Sequence, residues 1–377
     1  MKKLYLILFA ISINTLLLAE TNISFTPAPP KLNNKGYVLL SEASNKIIAS
    51  QNADTKISPA SLTKLMTLFI VANSLEQKTI SLNDQVLVSK KAWKQPGSRM
   101  FIKAGDHVNL KKLILGSAVV SGNDATVALA EHIAGSVDRF VEIMNQTALK
   151  LGMNNTHFAN VTGLPSKNHL TTPRDLAILA HAWFKHFPEQ TKWFTEKYFK
   201  YNKIKQHNRN QMLWSNKNVD GMKTGYTKDA GYCLVTSAKN NESRLIAVIT
   251  GAKSRSARFE QSAQLLNYGY HFFVNKELAK KDITLGTTEI LQGKNNTISY
   301  APEHDVIATI AKSDAEKIEL ITDINHIKAP IKKGEIIGTA TFKIGEESIK
   351  TNLVANESMA RGNIWQISLG YLKSLIS

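Results

Sequence analysis

Apolar and polar positions along the chain change their period several times, and each change marks an element. Short alternating runs at Gly36 to Leu40 and Lys46 to Ser50, parted by Ser44-Asn45, predict a β-hairpin. Between Leu62 and Val71 the residues Leu62, Leu65, Met66, Leu68, Phe69, Ile70 and Val71 leave almost no polar face, which predicts a buried helix. Further helices are predicted near Leu110 to Val119, from Ala125 to Ile133 with Gly135 as its stop, from Asp138 to Leu151, and from Pro173 to Lys185. Lys223-Thr224-Gly225-Tyr226-Thr227, Tyr232 to Ala238 and Arg244 to Thr250 read as three antiparallel strands, and a helical stretch runs from Arg255 to about Phe273. This mixture predicts an α+β domain over residues 36–276. Past Asn275 only short alternating runs remain, such as Val306 to Ile310 and Ile336 to Phe342, predicting a small all-β domain over 277–360.

The two ends carry a different pattern. Met1-Lys2-Lys3 followed by the apolar stretch Leu4 to Ala19 reads as a secretory signal over 1–19, short for a spanning helix and interrupted by Asn14. Residues 20–35, with Pro27-Ala28-Pro29-Pro30, are expected to form an extended linker. In 361–377, Gln366, Gly370, Lys373 and Ser377 share one helical face while Ile364, Trp365, Leu369, Leu372, Leu375 and Ile376 gather elsewhere. That pattern predicts a C-terminal amphipathic helix lying in a membrane interface, with Trp365 and Tyr371 at head-group level.

Candidate chemistry sits on three short strings in a fixed order. In Ser58-Pro59-Ala60-Ser61-Leu62-Thr63-Lys64, Ser58 is suited to cap the buried helix and Pro59 to open it, placing Ser61 at its third position. The Ser61 N–H would then lack an intrahelical acceptor and could stabilise an oxyanion formed by attack of its own hydroxyl. Lys64, three residues on, shares a helix face with Ser61; burial and a second cation would lower its pKa and make it a base.

Ser121-Gly122-Asn123-Asp124 lies between Val119-Val120 and the next helix, with Asp124 expected as the helix cap. Beside a Ser-x-x-Lys helix, Ser121 is a proton-relay candidate and Asn123 an amide for the substrate backbone. Lys223-Thr224-Gly225 is a cationic strand, and Gly225 suggests close approach of another backbone, such as a peptide added along the edge. Arg258, opening the last helix, could join Lys223 in holding a carboxylate. Taken singly, each string is more often a cap, a turn or a solvated hairpin; their joint occurrence points to acyl transfer.

Composition narrows the alternatives. The 377 residues, 43 % of them hydrophobic, can bury a sizeable core and exceed one ordinary domain. Cys233 is the only cysteine, which excludes an intrachain disulfide and a zinc-thiolate site. No metal or cofactor is expected. The net charge of +17 would suit nucleic acid in a cytoplasmic protein. Behind a secretory signal it fits anionic lipid or wall polymers instead, so no nucleic-acid partner is expected.

The strings, with Pro59-Ala60-Ser61-Leu62-Thr63-Lys64-Leu65-Met66-Thr67 and Asn218 to Gly225 around them, resemble the low-molecular-mass penicillin-binding proteins that are serine D-alanyl-D-alanine carboxypeptidases of peptidase family S11. The likeness spans roughly Gly36 to Phe273 and includes Leu151-Gly-Met-Asn-Asn-Thr-His-Phe and Asn208-Arg-Asn. It implies a penicillin-binding/β-lactamase-like transpeptidase fold and removal of the terminal D-Ala from peptidoglycan stems through an acyl-enzyme on Ser61. It further implies Lys64 as base, Ser121 as relay, Asn123, Lys223, Thr224, Gly225 and Arg258 as substrate ligands, and the Tyr226 N–H as oxyanion donor. β-Lactams would acylate Ser61, and the setting would be the periplasmic face of the inner membrane. Some relatives carry His where this chain has Tyr226 and where it has Thr162. A serine β-lactamase is the nearest rival, but no Glu-x-x-x-Asn string stands between Ser121 and Lys223. A non-catalytic wall scaffold would need none of the four polar residues Ser61, Lys64, Ser121 and Lys223.

Overall fold

A computed structural model describes residues 26–240 and 243–368. The signal expected at 1–19 and the start of the expected linker lie outside these residues. The first domain is built on an antiparallel sheet of β1 (Gly36–Ser41), β2 (Ile47–Gln51), β3 (Val219–Thr227), β4 (Gly231–Lys239) and β5 (Arg244–Ala252), in the order β2-β1-β5-β4-β3. Its helices are α1 (Thr63–Glu76), α2 (Leu110–Ala118), α3 (Asn123–Ala134), α4 (Val137–Lys150), α5 (Pro173–His186) and α6 (Arg255–Phe272).

Both faces of this sheet are buried. Val38, Leu40, Val235, Ile246 and Val248 join the core around α1, whereas Tyr37, Leu39, Leu234, Ala247 and Ile249 pack with Leu265 and Leu266 of α6. Two-sided burial explains why β4 and β5 read as continuous apolar runs instead of alternating ones. In the middle of this sandwich α1 is buried on all sides, Lys64 included. β3, by contrast, is an edge strand, so one side of its backbone faces the site.

The second domain begins at Phe273, a few residues ahead of the expected boundary at 277. There β6 (Phe273–Ala279) leaves α6 directly and pairs with β9 (Val306–Ala311). A six-stranded sheet follows, with β7 (Gly286–Leu291), β8 (Thr297–Pro302), β10 (Ile318–Asp323), β11 (Ile327–Lys328), β12 (Ile336–Ile344) and β13 (Glu347–Ala355). Their order is β10-β12-β13-β8-β7-β11.

Polar contacts lock the domains together. Thr309 Oγ1 lies 2.7 Å from Ser41 Oγ, 2.6 Å from Asn275 Oδ1 and 2.6 Å from Ser44 Oγ. Lys46 pairs with Glu347 across the same boundary. The proline segment is extended but strapped down: the Tyr268 and Tyr37 hydroxyls donate to the carbonyls of Pro27 and Pro30 at 2.9 and 3.1 Å.

At the far end, Asn363 and Gln366 form a reciprocal cap, each side chain bonded to the other's backbone N–H at 3.0 and 2.7 Å. Residues 364–368 are helical, with Ile364 and Trp365 exposed. The rest of the expected amphipathic helix, 369–377, lies outside the described residues. Among the described residues no helix is long and apolar enough to cross a membrane.

Candidate active site

Ser61 lies in a single 3-10 turn, Ala60–Leu62, that leads into α1. This corrects the expected entry: Ser58 does not cap the helix, Pro59 is the N-cap residue, and no side chain caps the turn. The cause is Ala60, held in the left-handed region at φ 48°, which bends the chain just before the nucleophile. Two neighbours press on this bend. A Cβ on Gly163 would meet Ala60 O at 1.7 Å, and one on Gly225 would meet Pro59 O and Ala60 Cβ at 3.2 Å. Gly225 is therefore needed for close approach, as expected, but the backbone approaching it is this chain's own Ser61 turn.

Lys64 Nζ lies 3.1 Å from Ser61 Oγ and donates to Thr162 O at 2.5 Å. Complete burial, then the nearby Lys223 ammonium, hold the Lys64 amine well below its ordinary pKa against an opposing pull from Asp124. His169 faces the same region: its Nε2 is 2.8 Å from Thr63 Oγ1, and burial pushes its pKa down to about 4, leaving it neutral.

Ser121 sits at φ 62°, and its Oγ is buried with no hydrogen-bond partner among the described residues. Asn123 donates to Pro96 O at 2.6 Å while its Oδ1 is likewise unpartnered. Two buried oxygens without partners where this turn enters α3 suit a site that receives hydrogen-bond donors. Asp124 is not the cap of α3; Gly122 holds that place. Instead the Asp124 carboxylate accepts backbone N–H groups of Met100 and Phe101 at 2.9 Å and of Ile102 at 3.3 Å, tying the 100–102 loop to the Ser121 turn.

Along β3, Lys223 and Thr224 are buried, and Tyr226, 54 % exposed, stacks on Tyr232 at 4.4 Å. Burial, then Arg209 and Arg258, push the Lys223 pKa down to about 7. Arg258 reaches the strand but is itself 5 % exposed, and its Nη1 donates to Gly225 O at 3.2 Å and Cys233 O at 3.4 Å. It thus braces β3 against β4, where Gly225 and Cys233 are register partners. Cys233 Sγ accepts from the Gly251 N–H at 3.5 Å.

Arg209, which sequence reasoning assigned no role, is the more accessible cation. It lines a cavity of about 420 Å³ with His207, Trp214 and Arg255. Buried Asn208 and Asn210 anchor it, donating to Phe194 O, Glu196 O and Gly221 O at 3.0 Å. The flanking asparagines in Asn208-Arg209-Asn210 were the available signal. Carbonyl acceptors such as Thr162 O leave no such mark, because any residue type supplies one.

This geometry has a known counterpart. Residues 23–254 match the family model described as D-alanyl-D-alanine carboxypeptidase, and residues 273–361 match the C-terminal domain of penicillin-binding protein 5. The chain belongs to the D-alanyl-D-alanine carboxypeptidase family. It is 39 % identical to D-alanyl-D-alanine carboxypeptidase DacC of Escherichia coli (strain K12), over 90 % of this chain and 88 % of that protein. Among solved structures, penicillin-binding protein 5 of Haemophilus influenzae superposes with a TM-score of 0.84 at 36 % identity, covering 89 % of this chain and all of that one. Penicillin-Binding Protein D2 of Listeria monocytogenes, solved in an ampicillin-bound form, matches at 27 % identity and a TM-score of 0.57, covering 65 % of this chain and 100 % of that one. As in the Haemophilus influenzae protein, the first domain is the penicillin-binding α+β fold and the second is all-β.

Proposed function

We propose that this chain is a serine D,D-carboxypeptidase that removes the terminal D-Ala from peptidoglycan stem peptides. The observation that carries the reading is the 3.1 Å contact between Ser61 Oγ and a buried Lys64 amine whose pKa is depressed. Ser61 Oγ attacks the carbonyl carbon of the penultimate D-Ala and its proton passes to Lys64. Backbone N–H groups of Ser61 and Tyr226 receive the oxyanion. A proton relayed through Ser121 reaches the departing amine, the C–N bond breaks and D-Ala leaves. Water then attacks the Ser61 ester, with Lys64 again taking the proton, and the shortened stem departs.

Recognition divides among the remaining groups. Asn123 grips the substrate backbone, while Lys223 and Thr224 hold the terminal carboxylate, with Arg209 beside them. Arg258 supports this from behind by holding Gly225. β-Lactams enter as acyl donors that stay attached to Ser61. Cell-wall maturation and cell shape are the processes such trimming serves.

Incubation with a D-Ala-D-Ala pentapeptide, scoring free D-Ala by mass, tests the chemistry together with fluorescent-penicillin labelling. Wild type should release D-Ala and take label; Ser61→Ala should do neither, and release by Ser61→Ala would sink the mechanism. The exposed Ile364 and Trp365, and the apolar positions after them in the sequence, support attachment of an exported protein to the periplasmic face of the inner membrane. Deleting residues 362–377 should move the protein to the soluble fraction. Unchanged membrane recovery would refute that attachment.

A further inference from the structure

One short turn touches the catalytic lysine without belonging to any of the three motifs. Residues 160–164 are folded around a single side chain. Asn160 Oδ1 accepts the N–H of Thr162 at 3.1 Å, the N–H of Gly163 at 2.8 Å and the Thr162 hydroxyl at 3.2 Å. Its Nδ2 donates to Leu164 O at 2.9 Å. The turn is then stitched at three neighbouring points to α1 and the 3-10 turn that leads into it. Thr67 Oγ1 donates to Val161 O at 2.9 Å, Lys64 Nζ donates to Thr162 O at 2.5 Å, and Gly163 lies against Ala60.

We propose that Asn160 is a positioning residue, shaping the 160–164 turn so that the Thr162 carbonyl fixes the Lys64 amine with its lone pair turned to Ser61. The inference rests on the reading of Ser61 and Lys64 given above. Its chemistry is that of a neutral amine, which has two N–H bonds and one lone pair. When one N–H is held by Thr162 O, rotation of the amine is restricted. The lone pair can then accept the Ser61 proton, 3.1 Å away. Thr162 suits this design because its hydroxyl adds a further link to Asn160. The groups facing Lys64 are Lys223 from β3, Asp124 from α3 and neutral His169 from the loop after the turn. Asn160 itself brings no charge among them.

That neutrality makes the test sharp. Acylation of Ser61 by a fluorescent penicillin is followed against pH in wild type, Asn160→Ala and Asn160→Asp, with melting temperature measured alongside. Asn160→Asp keeps the Oδ1 acceptor, gives up the Nδ2 donor to Leu164 O and adds a negative charge, which favours the Lys64 ammonium. Its maximal rate should fall less than that of Asn160→Ala, while the acid limb moves up by about one pH unit. Asn160→Ala loses all four bonds, and its maximal rate should fall by about a hundredfold. Should Asn160→Ala fail to fold, the Asp variant decides alone. An unmoved acid limb in Asn160→Asp overturns the assignment, as does a wild-type rate in Asn160→Ala. Wild type that takes up no penicillin at any pH would instead overturn the parent reading.

Discussion

Replacing Gly163 by alanine should separate two costs that are often confused. At φ 86° any L side chain is strained, and the added Cβ would stand 1.7 Å from Ala60 O and 2.2 Å from Ala60 C. Real Cβ atoms keep beyond 3.0 Å, so the turn must retreat by at least about 1.3 Å. That retreat would stretch the 2.5 Å contact between Lys64 Nζ and Thr162 O to about 3.8 Å, outside hydrogen-bond range. The backbone strain contributes about 1–2 kcal/mol and the lost bond about 1–3 kcal/mol, so a destabilisation of about 2–5 kcal/mol is expected. Displacing a catalytic group by about 1 Å lowers the acylation rate by about a hundredfold. Gly152→Ala supplies the control, because Gly152 has φ 80° and nothing within 4 Å of its would-be Cβ. Urea unfolding and stopped-flow penicillin acylation should show a small stability loss and normal acylation for Gly152→Ala, and a large loss of both for Gly163→Ala. Equal behaviour of the two variants would refute the reasoning.

Two further outcomes are expected. The reaction needs Lys64 neutral and Lys223 protonated, so kcat/KM should rise as pH climbs through the depressed Lys64 pKa and fall as Lys223 loses its proton near 7. Because a bound carboxylate favours the Lys223 ammonium, the falling limb of kcat should lie at higher pH than that of kcat/KM; coincident limbs would contradict this. Thr309→Val removes the contacts of its hydroxyl with Ser41, Asn275 and Ser44 at the domain boundary, leaving Ser41 and Asn275 bonded to each other, for an expected loss of about 1–3 kcal/mol. Limited proteolysis near Phe273 should quicken in that variant, and an unchanged cleavage rate would show that the contact contributes nothing.

The elements of the first domain were largely legible because periodicity and caps report on one segment at a time. The helices expected from Pro173 to Lys185 and from Asp138 to Leu151 stand as α5 and α4, capped by Thr172 and Ser136. What escaped were features created by a partner segment. The bend at Ala60 exists because Gly163 and Gly225 pack on it, so Ser58 and Pro59, a standard helix opening on paper, do not form one. Asp124 looked like a cap because the loop whose N–H groups it collects begins far upstream, at Met100. Arg258 was expected at the substrate carboxylate; its bonds to Gly225 O and Cys233 O have no local mark in the sequence. That β6 starts at Phe273, straight out of α6, was not legible because it is named as a strand only by its pairing with β9.

The placement of Cys233 has a use of its own. Burial pushes this thiol up to about 11, so at neutral pH it is a protonated, shielded group that alkylating reagents cannot reach while β3 and β4 remain zipped. Being the chain's single sulfhydryl, it turns a simple labelling reaction into a clock for how often the strand carrying Lys223 peels open. A covalently held antibiotic, fastened across that strand and the Ser61 turn, should slow the clock.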